Sequence, residues 1–265
     1  LNPERTGRIN HQAGVRLAVC ARAAGVRRFL FASSCSTYGA GGEGIIDEST
    51  PLRALTPYGE SKVRSEADLQ ALAGRDFCVV SLRNATAYGL SPRMRFDLVL
   101  NNLVAWAAAT GQVLLKSDGL AWRPLVHVED IARAFLALLK ADPSTVCGKA
   151  YNVGREADNF RIRDLADLIG RVVPGCSVSY AAGATADTRN YRVSFERLRH
   201  DVPAFQPAWD ARRGIRQVYQ ALQEQGLSPE IFEGPRFSRL PRLLDLQARG
   251  RLDADLFWKE PMGAC

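Results

Sequence analysis

Apolar positions along this chain come alternately as short unbroken runs and as spaced stripes, the pattern of buried strands and amphipathic helices taken in turn. Phe29 to Ala32 and Phe77 to Leu82 are short apolar runs bounded by polar or glycine residues, as expected of strands buried on both faces of a parallel sheet. Before the first run, residues 3–25 predict a helix whose stop is Gly25. Between the runs a helix is expected over Tyr58–Leu72, with Pro57 in its first turn, where a missing N–H is no loss. Further on, Phe96 to Trp106 predicts a helix, Val113 to Leu115 a strand, 119–124 a turn, 128–140 a helix and Tyr151 to Gly154 another strand. Ile162, Leu165, Leu168 and Ile169 form one apolar stripe of a helix over Arg163–Val173. Val193 to Leu198 and Gly214 to Leu222 read as closing helices. Strands alternating with helices point to an α/β fold, a doubly wound parallel sheet.

Chemistry concentrates where the first strand ends. Ser33 and Ser34 stand there, the usual position for reactive groups on an open parallel sheet. The following helix carries Tyr58 and Lys62 at i and i+4, so both side chains share one face. A free phenol titrates near ~10 and is a poor base at neutral pH. An ammonium one turn away favours the phenolate, and a tyrosine so tuned can take the proton of a sugar or alcohol hydroxyl while hydride leaves the same carbon. Ser34 can hydrogen-bond that oxygen as it becomes a ketone. Alone, Tyr-x-x-x-Lys would arise by chance in roughly one such sequence in eight. Its place, shortly after a strand ending in Ser-Ser, gives it weight.

Composition narrows the picture further. A chain of 265 residues can bury a sizeable core, and no apolar run approaches the ~18 residues of a membrane span. Arginine supplies 30 of the 35 basic residues, so each of the five lysines, Lys62 included, is more informative. The net charge of +7 would attract a diphosphate-bearing ligand. The basic residues are scattered and no nucleic-acid motif occurs, so nucleic acid is not an expected partner, nor is a membrane. Six cysteines without a Cys-x-x-Cys pair and three scattered histidines predict free thiols in a reducing, cytoplasmic setting and no metal site. Gly39, Gly41, Gly42 and Gly44 precede no helix, and so form a loop near the substrate rather than a phosphate cradle.

A longer pattern surrounds these residues. It runs Ser-Ser-Cys-Ser-Thr-Tyr-Gly (33–39), Asp47-Glu48 with Pro51, Pro57-Tyr58-Gly59-Glu60-Ser61-Lys62 with Glu66, and Leu82-Arg83-Asn84 with Tyr88-Gly89. It continues at Trp122-Arg123-Pro124-Leu125-Val126-His127-Val128-Glu129-Asp130 and Tyr151-Asn152-Val153-Gly154. In order and spacing it resembles an extended short-chain dehydrogenase/reductase of the NAD-dependent epimerase/dehydratase family, which acts on nucleotide sugars. The likeness spans about residues 2–222.

The resemblance implies a Rossmann-like cofactor domain and a smaller interleaved α/β substrate domain. Residues 1–89 with 123–154 would belong to the first, 90–122 and 155–227 to the second, and 228–265 to an extension. The family's Gly-x-x-Gly-x-x-Gly turn would lie roughly 70–90 residues ahead of Leu1. Catalysis would rest on Ser34, Tyr58 and Lys62. NAD, with NADP equally compatible, would be held by Asn10, Ser33, Tyr58, Lys62 and Asn84. Ser36, Thr86, Asn102, Arg123 and Arg189 would bind a nucleotide-diphosphate sugar; a guanidinium such as Arg123 can hold two phosphate oxygens at once. Thr86 stands where the family usually has asparagine, and His127 is expected to be a structural hydrogen-bonder.

The implied function is epimerisation through a transient keto-sugar. Dehydratases of the family place Asp-Glu directly after the Ser or Thr, and Cys35-Ser36 stands there instead, which disfavours loss of water. A 4-ketoreductase or dehydrogenase shares every residue named, and a non-catalytic cofactor-binding protein is the reading for a natively shorter chain. The basic, amphipathic stretch after Pro235 suits a homodimer surface or packing on its own domain.

Overall fold

The computed structural model describes residues 2–40, 44–185 and 190–259. Its opening stretch is helical throughout. In α1 (Pro3–Thr6) the Asn2 side chain caps the start, a π-helical segment covers Gly7–Gln12, and α2 (Ala13–Ala23) stops before Gly25, whose φ of +78° suits glycine. The expected helix over 3–25 is therefore present, but wound wider around Asn10. Then come β1 (Arg28–Ser34), β2 (Ile45–Ile46), α3 (Pro57–Leu72), β3 (Cys78–Asn84), β4 (Thr86–Tyr88), α4 (Val99–Thr110) and β5 (Gln112–Ser117). β6 (Trp122–His127), α5 (Val128–Lys140), α6 (Pro143–Val146), β7 (Ala150–Val153), β8 (Asn159–Arg161), α7 (Ile162–Val172) and β9 (Ser177–Thr185) continue the chain. It closes with β10 (Arg192–Val193), α8 (Glu196–Asp201), α9 (Ala211–Gln225), α10 (Pro229–Glu233) and α11 (Arg239–Ala248).

The central sheet is parallel, in the order β1-β3-β7, with Phe29 opposite Val79, Ser34 opposite Asn84 and Asn84 opposite Val153. β3 shows why its run is apolar on both faces, with Ser81 its one polar residue before Arg83. Cys78, Val80 and Leu82 enter a core that includes Ala134 and Leu138 of α5, whereas Val79 enters a second core with Ala18 of α2 and Leu69 of α3. Helices thus cover both faces, and the fold is an α/β doubly wound, Rossmann-like parallel sheet. Each fully buried aliphatic side chain contributes about 1.5–3 kcal/mol. The stripe of α7 is buried at all four positions.

Two stretches differ from the sequence expectation. Residues 122–124, expected in a turn, begin strand β6, which pairs in parallel with β4 and antiparallel with β8. Residues 193–198, expected to be helical, begin as β10, which pairs with β2, before α8 starts at Glu196.

The chain forms two compact units. One comprises Leu1–Tyr88, Leu115–Leu165 and Tyr180–Ala211 and holds the parallel sheet. The other comprises Gly89–Leu114, Ala166–Ser179 and Arg212–Cys265; within it Phe232 packs against Phe96 and Trp106 at ring distances of 5.5 and 5.4 Å. No helix among the described residues is long and apolar enough to cross a membrane.

Candidate active site

The residues at the carboxyl end of β1 come together through the start of α3. Thr56 caps that helix, its Oγ1 accepting from Gly59 N at 3.1 Å, and Pro57 occupies the first turn. Gly59 is required by space: a Cβ there would stand 2.9 Å from both Ser36 O and Ala54 Cβ. The glycine after Tyr58 thus lets the helix start press against the turn that follows Ser34. That turn, a single 3-10 turn over Cys35–Tyr38, is capped by Ser34, whose Oγ accepts from Ser36 N at 3.1 Å and lies 3.0 Å from Ser36 Oγ.

One turn along α3, Lys62 reaches back to the sheet. Its Nζ donates to Ala32 O at 2.7 Å and lies 4.6 Å over the Phe31 ring and 5.7 Å over the Tyr58 ring. Burial pushes the Lys62 ammonium down from the usual lysine range, and the Glu66 carboxylate opposes that. Tyr58 is 40% exposed, and Lys62 and Ser34 are each half-buried near the same strand end. Asn84 lies opposite Ser34 across the parallel strands. Its amide nitrogen donates to Ser33 O and Leu82 O, both at 3.2 Å, while its Oδ1 is buried without a partner. That acceptor fits an N–H donor from a bound group.

A buried polar network lies directly behind. Glu66, one turn beyond Lys62, accepts from the Ser33 hydroxyl and from Arg83 Nε and NH2, the last at 2.7 Å. Arg83 also donates to Tyr38 OH at 3.0 Å, and Tyr38 OH donates to Asn152 Oδ1 at 2.7 Å. Glu48 accepts from Asn152 N at 2.7 Å, and burial raises its carboxyl above the usual range. Cys35 is 1% exposed, its thiol donates to Arg83 O at 3.2 Å, and burial pushes its titration far up. Sequence inspection recorded Glu48, Glu66, Arg83 and Tyr38 only as parts of a pattern. The i+4 step from Lys62 to Glu66 was the signal that could have given Glu66 a role.

The other predicted residues stand as follows. Asn10 lies in the π-helical segment, where its carbonyl accepts from Ser65 Oγ of α3 at 3.2 Å. The Ser33 hydroxyl is turned inward to Glu66 and the residue is 4% exposed. Thr86 and Arg123 stand on the paired strands β4 and β6, and Arg123, itself buried, donates to Trp122 O at 2.8 Å. Asn102 belongs to the other unit, where its amide donates to Phe96 O at 2.9 Å. Arg189, Gly41 and Gly42 lie outside the described residues. His127 caps α5, its Nδ1 accepting from Glu129 N at 3.2 Å, and its ring stacks on Trp209 at 3.9 Å. Asp130 accepts from the backbone nitrogens of Ala208 and Trp209.

The model of the NAD dependent epimerase/dehydratase family matches residues 1–154. UDP-glucose 4-epimerase of Bacillus subtilis (strain 168) is 31% identical over 213 residues, covering 73% of this chain and 61% of the relative. dTDP-D-glucose 4,6-dehydratase of Mus musculus is 30% identical over 148 residues, covering 55% and 40%. The chain spans about half the length of the curated relatives it matches. Among solved structures, MoeE5 in complex with UDP-glucose and NAD superposes with a TM-score of 0.70 at 25% identity, covering 82% of this chain and 72% of that one. RMD from Pseudomonas aeruginosa complexed with NADPH gives 0.73 at 23% identity over 84% and 76%, a likeness of fold.

Proposed function

The chain belongs to the NAD dependent epimerase/dehydratase family, and from that premise we propose that the polypeptide carrying it is an NAD(P)-dependent nucleotide-sugar epimerase. It would oxidise one sugar hydroxyl to a ketone and reduce that ketone again from the opposite face. The observation that carries this reading is the placement of Lys62, anchored on Ala32 O at 2.7 Å and seated beside the Tyr58 ring at the end of β1. An ammonium held there favours the Tyr58 phenolate, which serves as general base for the sugar hydroxyl and returns the proton on re-reduction. Ser34 Oγ, oriented by Ser36 on both its N–H and its hydroxyl, hydrogen-bonds the oxygen whose charge changes.

Bound NAD supplies the acceptor and donor of hydride. Asn84, with its buried free Oδ1, is the residue whose state best suits such a group; Lys62, Tyr58 and Asn10 would complete its grip. Arg123 and Thr86, on the paired strands β6 and β4, would hold the nucleotide diphosphate.

Cys35 favours this reading over dehydration. Elimination of water needs an acid and a base near the departing hydroxyl. The thiol next to Ser34 is buried, bonded to Arg83 O and held neutral, so it supplies neither.

The test uses UDP-glucose with NAD as the probe. NMR should show the sugar converting to its epimer with no net NADH, and Tyr58→Phe should lower the rate by at least ~100-fold. Stoichiometric consumption of NAD(P)H with a keto-sugar would replace epimerisation by ketoreduction. Near-normal turnover of the Tyr58→Phe variant would sink the mechanism.

A further inference from the structure

Glu66 is a charged residue at 8% exposure on the helix that carries Tyr58 and Lys62. Burying a carboxylate is costly unless its oxygens are paired, and here they are bound from two other elements. The Ser33 hydroxyl reaches Glu66 from β1, and the Arg83 guanidinium grips both oxygens from β3. Lys62, one turn earlier on the same helix, bonds Ala32 O, the residue next to Ser33. Two successive turns of α3 are thus pinned to two successive residues of β1, immediately before Ser34. The groups facing Lys62 are the Tyr58 ring and Glu66 on its own helix, and the Phe31 ring and Ala32 carbonyl on β1.

We propose that Glu66 is a positioning residue: fixed by Ser33 and Arg83, its carboxylate holds α3 in register with the end of β1 and keeps Lys62 a cation in place beside Tyr58. This rests on the catalytic reading of Lys62 and adds to it the group that maintains the lysine's charge. Without Glu66, burial acts on the ammonium opposed by no full negative charge, with the Ala32 carbonyl and the two rings alone favouring the cation. The negative charge, and not only the hydrogen bonds, is therefore what the site uses.

The test follows Lys62 itself and needs no turnover. Reductive methylation of the whole 265-residue chain, read peptide by peptide in a mass spectrometer across a pH series, reports when each lysine becomes a free amine. In Glu66→Gln, which keeps size and an acceptor but removes the charge, the Lys62 midpoint should fall by about half to one pH unit, or ~3–10-fold more labelling at pH 8. The exposed Lys140 should be unchanged. A folded variant with the wild-type Lys62 profile overturns the proposal. If Glu66→Gln fails to fold because Arg83 is left unpaired, Glu66→Gln with Arg83→Met removes both buried charges, and a smaller fall in the same direction is expected, since a nearby cation is lost as well. Failure of that pair to fold also overturns it, since the ion pair would then serve the fold alone. A fall at Lys62 in a protein without epimerase activity would uphold Glu66's role and reject only the catalytic reading.

Discussion

The carboxyl end of the β1–β3–β7 sheet and the neighbouring strip formed by β4, β6 and the Trp209 turn both bury polar side chains, but they treat them differently. Behind Ser34, Glu66, Arg83, Tyr38 and Asn152 form a chain of hydrogen bonds from β1 through α3 and β3 to β7. Around Tyr88 contact is mainly aromatic: Tyr88 meets His127 edge-on at 5.2 Å, and His127 stacks on Trp209. There the Tyr88 hydroxyl is buried without a partner, and Asp158 is 4% exposed with one long bond, from Ala211 N at 3.4 Å. The first region fixes the angles of groups presented to a ligand, which directional bonds do well. The second supports the start of α5 by ring stacking and by bonds from Ala208, Trp209 and the Trp209 indole to Asp130 and Glu129, and leaves the Tyr88 hydroxyl outside them.

The largest expected effect breaks the paired region. Arg83→Ala leaves the Glu66 carboxylate buried with its cation gone, which should cost about 3–5 kcal/mol. Urea unfolding would show this as a lowered midpoint with an unchanged slope. A loss below ~1 kcal/mol would mean that water reaches Glu66 and that the network is not the brace described here.

The next effect comes from the other region and depends on pH. Burial raises the Asp158 carboxyl to about 6, with Arg155 working against it and the neighbouring Asp210 and Asp130 adding to it. The folded protein therefore binds this proton more tightly than the unfolded chain. Its contribution is fully favourable below the unfolded value near ~3.8 and is lost as pH rises through about 6. Asp158→Asn should stabilise by on the order of 2–3 kcal/mol at pH 7.5, shrinking to ~1 by pH 4.5. Thermal melts of both proteins across that range would decide it. A gain independent of pH would assign the effect to something other than the buried charge.

The same contrast explains what could be seen in the chain before its structure. The helix carrying Tyr58 and Lys62 is written locally, in Thr56, Pro57 and the spacing along one face, and β3 is written in its short, mostly apolar run. Strand β6 is not: Trp122-Arg123-Pro124 mixes polar residues with a proline that ordinarily demotes a strand, and only pairing with the distant β4 and β8 makes it one. β10 is two residues long and exists because β2 lies beside it; no alternation can be read from two residues. At the candidate site, the nearness of Lys62 to the Tyr58 ring was legible because it follows from their i, i+4 spacing on one helix face. The inward turn of Ser33 toward Glu66 was not, since adjacent serines at a strand end look alike until the face each one takes is known.

The smallest effects form a matched pair that tests the comparison directly, because the same hydroxyl is removed from each region. Tyr38 is 2% exposed and Tyr88 is 1% exposed, so both changes empty a similar buried spot. Tyr38→Phe removes one acceptor of Arg83 and the donor to Asn152 Oδ1, leaving that oxygen unsatisfied in the interior. With Arg83 NH1 keeping its 3.4 Å bond to Glu48 O and Asn152 Oδ1 orphaned, it should cost about 1–2 kcal/mol. Tyr88→Phe removes a hydroxyl without a partner and keeps the ring edge on His127. Its expected effect is within ~0.5 kcal/mol of zero, on the stabilising side, because nothing is orphaned and a buried dipole is gone. Equilibrium unfolding of the two variants under one buffer gives the difference free of any error common to both. If Tyr88→Phe proved as costly as Tyr38→Phe, the Tyr88 hydroxyl would have a partner such as a buried water, and the strip around His127 would be a second polar brace rather than an aromatic one.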